Sequence, residues 1–256
     1  MRNIKFTVSY DGTDFKGWQT QPGFRTVQET LEQAISAVTG EERLRVNCSG
    51  RTDSGVHAIG QVVNFYTSSA LAADVLLRAV NAHLPADVIV RDAAEVEQSF
   101  DANRDAKRKL YRYVIHDGPV PDVFLRRFAW HSKHRLDAHA MRRASVVLIG
   151  RHDFHSFETD WPNRLTSIRT ITHLSVNRLG DYIFIDVEAD GFLYNMVRAI
   201  AGTLINVGRG YWPESKVAEI LNAEDRREAG PTAPPEGLFL VRVTYASAEC
   251  GTRSAE

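Results

Sequence analysis

The sequence has few cysteines, almost no net charge and no long apolar run, and each shortage excludes a class of protein. Two cysteines in 256 residues are too few for a disulfide framework or a four-thiolate zinc site. No segment approaches the roughly 18 consecutive apolar residues that a membrane helix requires. An alternating strand pattern follows directly after Met1, so we expect no signal peptide and a cytoplasmic protein.

The composition is that of a folded protein with an uneven charge distribution. Hydrophobic residues make up 43% and charged residues 25% of the chain, which is ordinary for a globular protein of one large or two small domains. The net charge is −1, yet residues 101–143 hold 11 Lys and Arg against 5 Asp and Glu, an excess of +6 that leaves −7 for the rest. Aromatic residues within this segment favour a phosphate-rich partner, although a solvated charged face explains the count equally well.

Apolar periodicity predicts one pattern, β-α-β-β-α-β, twice along the chain. In the first half of the chain the strands lie at 4–10, 44–48, 61–66 and 88–96. The two helices begin at Val27, after a Thr26–Glu29 capping box, and at Ala70. In the second half of the chain the strands lie at 110–115, 168–176, 182–187 and 238–245. The helices lie at 137–148 and 192–207, and an additional helix is predicted at 213–221.

This order predicts an α+β protein built from two ferredoxin-like, RRM-like βαββαβ subdomains. We expect residues 1–105 to form the first subdomain, residues 106–247 the second and residues 248–256 a frayed tail. We also expect the halves to share a mixed antiparallel sheet, with the active-site cleft between them.

A glycine-rich segment, SGRTDSGVHAIG at residues 49–60, falls between two predicted strands. Its glycines permit backbone conformations closed to other residues and a close approach of a ligand. Asp53 offers a carboxylate, and Arg51 a cation that stabilises its charge. Asp and Gly together also mark simple turns, so composition alone leaves a structural role for Asp53 open.

GRTDSGVHA closely resembles the GRTDxGVHA signature of the tRNA pseudouridine synthase A family. Further segments resemble that family in its order along the chain. They are YDGTDFKGWQ, QPGFRTVQETLE, KLYRYVI, GFLYNMVRAIAGTL and APPEGLFLVRVTY. Together they extend over residues 3–245, so the resemblance covers nearly the whole chain.

The resemblance implies catalytic roles for four residues. Asp53 matches the catalytic aspartate of the family, and Arg51 matches the arginine implicated in everting the target nucleotide. Tyr111 matches the tyrosine that stacks on the flipped uracil and takes part in proton transfer. Arg198 matches the arginine that pairs with the carboxylate. Without the resemblance, Tyr111 reads as an ordinary strand aromatic, and Arg198 as a charge in an apolar helix that needs a partner.

The resemblance also implies which residues bind substrate and what the partners are. Tyr111, Leu238, Arg51 and His57 are the candidate substrate-binding residues. The implied activity is isomerisation of uridine to pseudouridine at positions 38, 39 and 40 in the anticodon arm of tRNA. The implied enzyme is a homodimer that needs no cofactor and no metal. Seven basic residues of the 101–143 segment are expected to contact tRNA phosphates, namely Arg104, Lys107, Arg108, Lys109, Arg112, Arg126 and Arg127.

Two other functions remain open from the sequence. The first is a non-catalytic RNA-binding protein of two RRM-like halves, although the RNP1 signature of RRM readers is missing. The second is a metal-dependent hydrolase, suggested by the pairs His131/His134 and His152/His155. No cysteine or carboxylate pattern of known ligand spacing accompanies those histidines. Ser54 and His57 lie in one loop without a GxSxG motif, which argues against a serine hydrolase.

Overall fold

The computed structural model describes residues 1–42, 44–159 and 166–246, which form one mixed sheet flanked by helices. The strands are β1 Arg2–Tyr10, β2 Asn47–Cys48, β3 His57–Thr67, β4 Val88–Val96, β5 Ala106–His116, β6 Trp130–His131, β7 Gly150–Asp153, β8 Ile168–Leu179, β9 Tyr182–Ala189 and β10 Leu238–Tyr245. The helices are α1 Val27–Thr39, α2 Ala73–His83, α3 Ala138–Ser145, α4 Met196–Gly208 and α5 Lys216–Ala223.

The first half of the chain forms the βαββαβ unit that the periodicity predicts. Its strands lie in the order β4-β1-β3, and β2 pairs with β3. All of these pairings are antiparallel. Alternate residues of β1, including Ile4, Phe6 and Val8, are fully buried, because successive side chains of a strand point to opposite faces of the sheet.

The second half of the chain repeats this arrangement. Its strands lie in the order β10-β5-β9-β8, again antiparallel, with β7 added beyond β8 and β6 beside β5. The predicted turn between β8 and β9 is present, and Gly180 takes a positive φ there. Asp137 caps α3, as predicted, by accepting hydrogen bonds from the backbone N–H groups of His139 and Ala140.

The two units join through a short parallel pairing between β3 and β10. Phe239 is in register with His57, and Leu240 with Ala58. This pairing makes the sheet continuous and mixed in direction, which confirms the predicted fold class. The boundary near residue 105 stays a prediction, and the expected tail lies outside the described residues.

Several local expectations differ from the structure. The strand predicted at 44–48 is reduced to the two residues of β2, and β3 begins at His57 rather than at Gln61. Helix α4 begins at Met196 instead of Phe192, because Asn195 takes a left-handed conformation with φ 62°. The Thr26 side chain makes no capping hydrogen bond. In the described parts of the chain, none of the helices is long and apolar enough to cross a membrane.

Candidate active site

A cleft of about 1010 Å³ opens where the two βαββαβ units meet. One edge of β3 pairs with β1 along most of its length. On the other edge, β10 pairs at His57 and Ala58 while β2 pairs at Val63 and Asn64. The loop of residues 49–56 joins β2 to β3 at this junction. The cleft walls come from this loop, from β5 and from the start of α4.

Strand β1 and the segment that follows it fix the position of this loop through hydrogen bonds and close backbone packing. The backbone N–H of Trp18 donates to the Thr52 carbonyl at 3.0 Å, and the Thr52 and Tyr10 hydroxyls lie 2.8 Å apart. A Cβ on Gly12 would lie 2.0 Å from the Val56 carbonyl oxygen, and one on Gly17 would lie 2.8 Å from that of Thr52. Glycine is therefore required at both positions for the close approach.

A second set of hydrogen bonds fixes the start of the loop. The Ser49 hydroxyl donates to Gln61 Oε1 at 2.6 Å, and Gln61 Nε2 donates to the Gly50 carbonyl at 2.7 Å. Lys109 Nζ donates to the Ser49 carbonyl. The backbone around Asp53 is thus held on both sides by buried polar groups.

Asp53 faces Arg198 across the cleft. Arg198 Nη1 lies 3.3 Å from Asp53 Oδ2, and the two side chains are 15% and 29% exposed. The guanidinium also donates from Nε to the Ala233 carbonyl at 2.6 Å and from Nη1 to Asn195 Oδ1 at 2.9 Å. These two acceptors fix the orientation of Arg198 independently of Asp53.

The surroundings of Asp53 control the charge of its carboxyl group. Burial raises the pKa of Asp53 above its ordinary value, and the positive charge and hydrogen bond of Arg198 counteract part of that rise. A partly desolvated carboxylate is a stronger base and nucleophile than one in water. The pair therefore combines reactivity with retention of the negative charge.

Tyr111 and Leu238 supply the apolar floor of the cleft. Tyr111 lies in the middle of β5 with its ring edge-on to Phe192, 5.0 Å between centroids. Leu238 is the first residue of β10, and both residues line the cleft. Burial raises the pKa of the Tyr111 phenol, which keeps that hydroxyl protonated at neutral pH. A flat aromatic surface beside a carboxylate is suited to holding a planar base.

Arg51 also lines the cleft, but on its exposed side. Within residues 1–42, 44–159 and 166–246, no carboxylate forms an ion pair with it. Its guanidinium is consequently available to a ligand. The structure thus brings together five predicted site residues, namely Arg51, Asp53, Tyr111, Arg198 and Leu238.

His57 lies elsewhere. It is 1% exposed and stacks on Phe239 at 4.7 Å between ring centroids. Its Nδ1 accepts a hydrogen bond from the Gly12 backbone N–H at 3.0 Å. Burial lowers the pKa of His57, so the ring is neutral and its 3.2 Å approach to Asp11 is not an ion pair near neutral pH. The geometry gives His57 no direct access to a substrate in the cleft.

Side chains that sequence reasoning left without a role also line the cleft. The sequence places Lys109 among the basic residues expected to contact tRNA phosphates and not in the cleft, and Asn195 gives no signal beyond its place in a matched segment. The strand alternation offered a clue, since Lys109 and Tyr111 are two residues apart and share one face of β5. Cys48 lines the same cleft, and burial raises the pKa of its thiol to about 12, so it remains an unreactive thiol.

The predicted histidine pairs do not gather into a ligand set. Over the described part of the chain, no three His, Cys, Asp or Glu side chains come close enough to share a metal ion. His152 packs edge-on to Phe154, and the His131 ring bonds the Gly118 carbonyl. These contacts give both histidines structural partners.

Comparison with known proteins identifies the class of this fold and cleft. A family model described as tRNA pseudouridine synthase matches residues 7–103 and 144–246. Curated proteins named tRNA pseudouridine synthase A are 44% identical in Acetivibrio thermocellus, 45% in Thermoanaerobacter sp. and 44% in Brevibacillus brevis. Each match covers 96% of this chain and 100% of the relative.

The class is therefore that of the pseudouridine synthases, isomerases that convert uridine to pseudouridine in RNA. Within this class, the chain belongs to the tRNA pseudouridine synthase family.

Proposed function

We propose that this enzyme forms pseudouridine at positions 38, 39 and 40 of the tRNA anticodon arm, with Asp53 as its catalytic carboxylate and without a cofactor. The observation that supports the proposal most directly is the Asp53–Arg198 contact of 3.3 Å in a cleft that also presents Tyr111. The reaction breaks the N1–C1′ glycosidic bond, turns the uracil and joins its C5 to C1′. C5 loses its hydrogen as a proton and N1, freed from the ribose, takes up a proton, so the product is an isomer of the substrate and no electrons are gained or lost.

A base stacked within the tRNA cannot reach Asp53, so the target nucleotide must turn out of the stack. Arg51, exposed at the cleft and without an ion-pair partner among the described carboxylates, fills the space that the base leaves. Tyr111 then stacks on the uracil, a contact worth about 1–3 kcal/mol, while Leu238 closes the apolar side.

Asp53 acts either as a nucleophile at the ribose or as a base on it, and both roles require the ionised carboxylate. Arg198 keeps the charge on Asp53 before the reaction and stays in place through its bonds to Ala233 and Asn195. The phenol of Tyr111 remains protonated and takes part in the proton transfers at the uracil.

The 101–143 segment contributes less free positive charge than its composition indicates. Within the described residues, six of its arginines already pair with carboxylates: Arg104 with Asp105, Arg108 with Glu188, Arg112 with Asp186, Arg127 with Asp14, Arg135 with Asp117 and Asp181, and Arg143 with Glu214. We propose that tRNA phosphates compete for these exposed cations. Binding should then weaken steeply as salt rises.

We further propose that the enzyme is a cytoplasmic homodimer. Val120, Val123 and Phe124 are largely exposed, Phe124 to 87%, and they follow one another in a single loop between β5 and β6. Several exposed apolar side chains in one loop are typical of a contact between proteins. A second subunit would cover it.

The test uses tRNA tritiated at uracil C5, because formation of the new bond displaces that hydrogen. We expect wild-type protein to release tritium and Asp53→Asn to release none while still binding tRNA. Asp74→Asn, an exposed carboxylate on α2, is the matched control and should retain full activity. Chemical mapping of the product should place the modification at positions 38–40.

Two outcomes would contradict the proposal. Tight binding without tritium release by the wild type would favour a non-catalytic RNA-binding protein. Equal release by wild type and Asp53→Asn would leave the enzyme standing and remove Asp53 as its catalyst.

A further inference from the structure

Lys109 differs from every other basic residue expected to contact tRNA. Seven such residues lie in the basic segment: Arg104, Lys107, Arg108, Lys109, Arg112, Arg126 and Arg127. Of these seven, all within the described residues, Lys109 is the one that lines the cleft. Its side chain is drawn into the protein and bonds the Ser49 carbonyl. In the part of the chain that the structure describes, no carboxylate pairs with it.

A lysine held in a partly buried position without an acidic partner is costly to keep charged. Burial lowers the pKa of the Lys109 ammonium. Among the described residues, one backbone carbonyl accepts a hydrogen bond from this ammonium, although an ammonium has three N–H donors. Two donors therefore remain for a ligand, and the ligand that best completes such a site is an anion.

The position of Lys109 beside Tyr111 defines what kind of anion fits. A Cβ on Gly50 would lie 3.3 Å from Lys109 Nζ and 3.8 Å from the Tyr111 hydroxyl, so both groups border the same point of the loop. Residues two apart on a strand face are separated by about 6.6 Å. A uracil stacked on Tyr111 thus brings the sugar–phosphate of the same nucleotide within reach of a lysine side chain.

Resting on the proposed function, we infer that Lys109 binds a phosphodiester group adjoining the flipped uridine and so sets the position of that nucleotide beside Asp53. Arg51 acts where the base leaves the stack, and Lys109 acts where the base arrives. The contact to Ser49 links the two events, because a phosphate on Lys109 is attached through one hydrogen bond to the loop that carries the carboxylate.

The test pairs a protein change with a change in the RNA. Lys109→Met removes the charge and keeps the length of the side chain, while Lys109→Arg keeps the charge. tRNAs are assembled with one neutral methylphosphonate replacing the phosphate on the 5′ or the 3′ side of the target uridine. Tritium release is measured under single-turnover conditions for each combination, and thermal unfolding shows whether each variant folds.

We expect Lys109→Met to lower the single-turnover rate, measured at enzyme concentrations below saturation, at least tenfold, and Lys109→Arg to recover most of it. One of the two methylphosphonates should slow the wild type by a similar factor and have little further effect on Lys109→Met. If the rate loss from Lys109→Met and the rate loss from each methylphosphonate multiply when the two changes are combined, Lys109 and the phosphates act independently. That result would show that Lys109 only supports the loop and would overturn the inference.

Binding provides a readout that does not depend on catalysis. Affinity falls as salt rises, and the slope of log affinity against log salt should become shallower by about 0.7–0.9 in Lys109→Met, which corresponds to the loss of one phosphate contact. The slope should stay unchanged in Lys109→Arg. Lys5→Met, a lysine on β1 outside the cleft, should leave the slope unchanged. An unaltered slope in Lys109→Met would overturn the inference. Absence of tritium release in wild type on unmodified tRNA would instead overturn the proposed function.

Discussion

Arg198 meets Asp53 at 3.3 Å although 145 positions separate them in the sequence. The arginine is not held by the aspartate alone, because Ala233 and Asn195 accept two of its other hydrogen bonds. It is therefore pre-positioned, and no rearrangement of the guanidinium is needed when charge develops near the carboxylate.

The first prediction concerns the acid side of the pH profile. Burial raises the pKa of Asp53 and Arg198 opposes that rise, so Arg198→Met should raise the pKa further. The acid limb of kcat/KM should move to higher pH, with about a tenfold loss below the transition for each pKa unit. Arg142→Met, which loses bonds to Val176 and Asn177 away from the cleft, should leave the limb in place. A uniform loss at all pH values in Arg198→Met would contradict this role.

The second prediction separates the ring of Tyr111 from its hydroxyl. Tyr111→Phe keeps the stacking surface and should keep the affinity for tRNA with a reduced rate of tritium release. Tyr111→Ala removes the surface and should weaken binding by about 1–3 kcal/mol. Filter binding and single-turnover rates measure the two effects. Equal affinity in both variants would show that the ring does not carry the base.

The third prediction concerns the close approach of Gly202, on α4, to Gly230 and Pro231. A Cβ on Gly202 would lie 1.8 Å from the Pro231 carbonyl oxygen, so the loop that presents Ala233 to Arg198 would have to move. Gly202→Ala should cost about 1–3 kcal/mol of unfolding free energy and lower activity. Gly191→Ala, where the nearest atom would be 3.4 Å away, is the control for urea denaturation. Equal stability of the two variants would argue against the close approach.

The fourth prediction uses the buried His57. Because burial lowers its pKa, the unfolded chain takes up a proton first as the pH falls. This histidine's contribution to stability is therefore full above the ordinary histidine pKa of about 6.5 and is lost as pH drops toward the folded pKa. His57→Leu leaves the Gly12 N–H without its acceptor and should cost about 1–3 kcal/mol at pH 8, with a smaller difference at pH 5.5. An unchanged gap between the two pH values would refute the assignment. His83→Leu, at an exposed helix end, is the control.

The fifth prediction tests the subunit contact. Light scattering of the wild type should give about twice the chain mass of 28.7 kDa. Replacing both Val123 and Phe124 with serine should give a monomer, because the exposed apolar loop between β5 and β6 loses its hydrophobic surface. A dimeric variant would place the interface elsewhere.

The fold was predictable from periodicity because each half buries one face of its strands. Strands β4 and β10 have the predicted bounds, and the repeated strand order follows from the pattern. The two-residue pairing between β3 and β10 was not readable in detail, since its register depends on packing between distant segments. The later start of α4 also depends on distant residues. The left-handed conformation of Asn195 places its side chain in hydrogen bonds with Arg198 and Thr159, and these contacts cannot be read from the local sequence.

The candidate site residues could be named from the motifs, but the way in which the fold arranges them could not. Charge counting described the basic segment as one surface, whereas the structure pairs Arg112 with Asp186 and turns Lys109 into the cleft. His57 shared a motif with Asp53 and still faces the core. Neighbours in sequence diverge here because a strand begins at His57 and sends alternate side chains to opposite sides.

The order of strands in space has a consequence for how the enzyme is made. Strand β10 comes last along the chain but lies between β3 and β5 in the sheet. A nascent chain that has emerged through residue 105 contains Asp53 and lacks Tyr111, Arg198 and Leu238. The cleft is completed only after residues 238–245 leave the ribosome. An incomplete chain therefore carries Asp53 without the Arg198 and Tyr111 side chains that the complete cleft places around it.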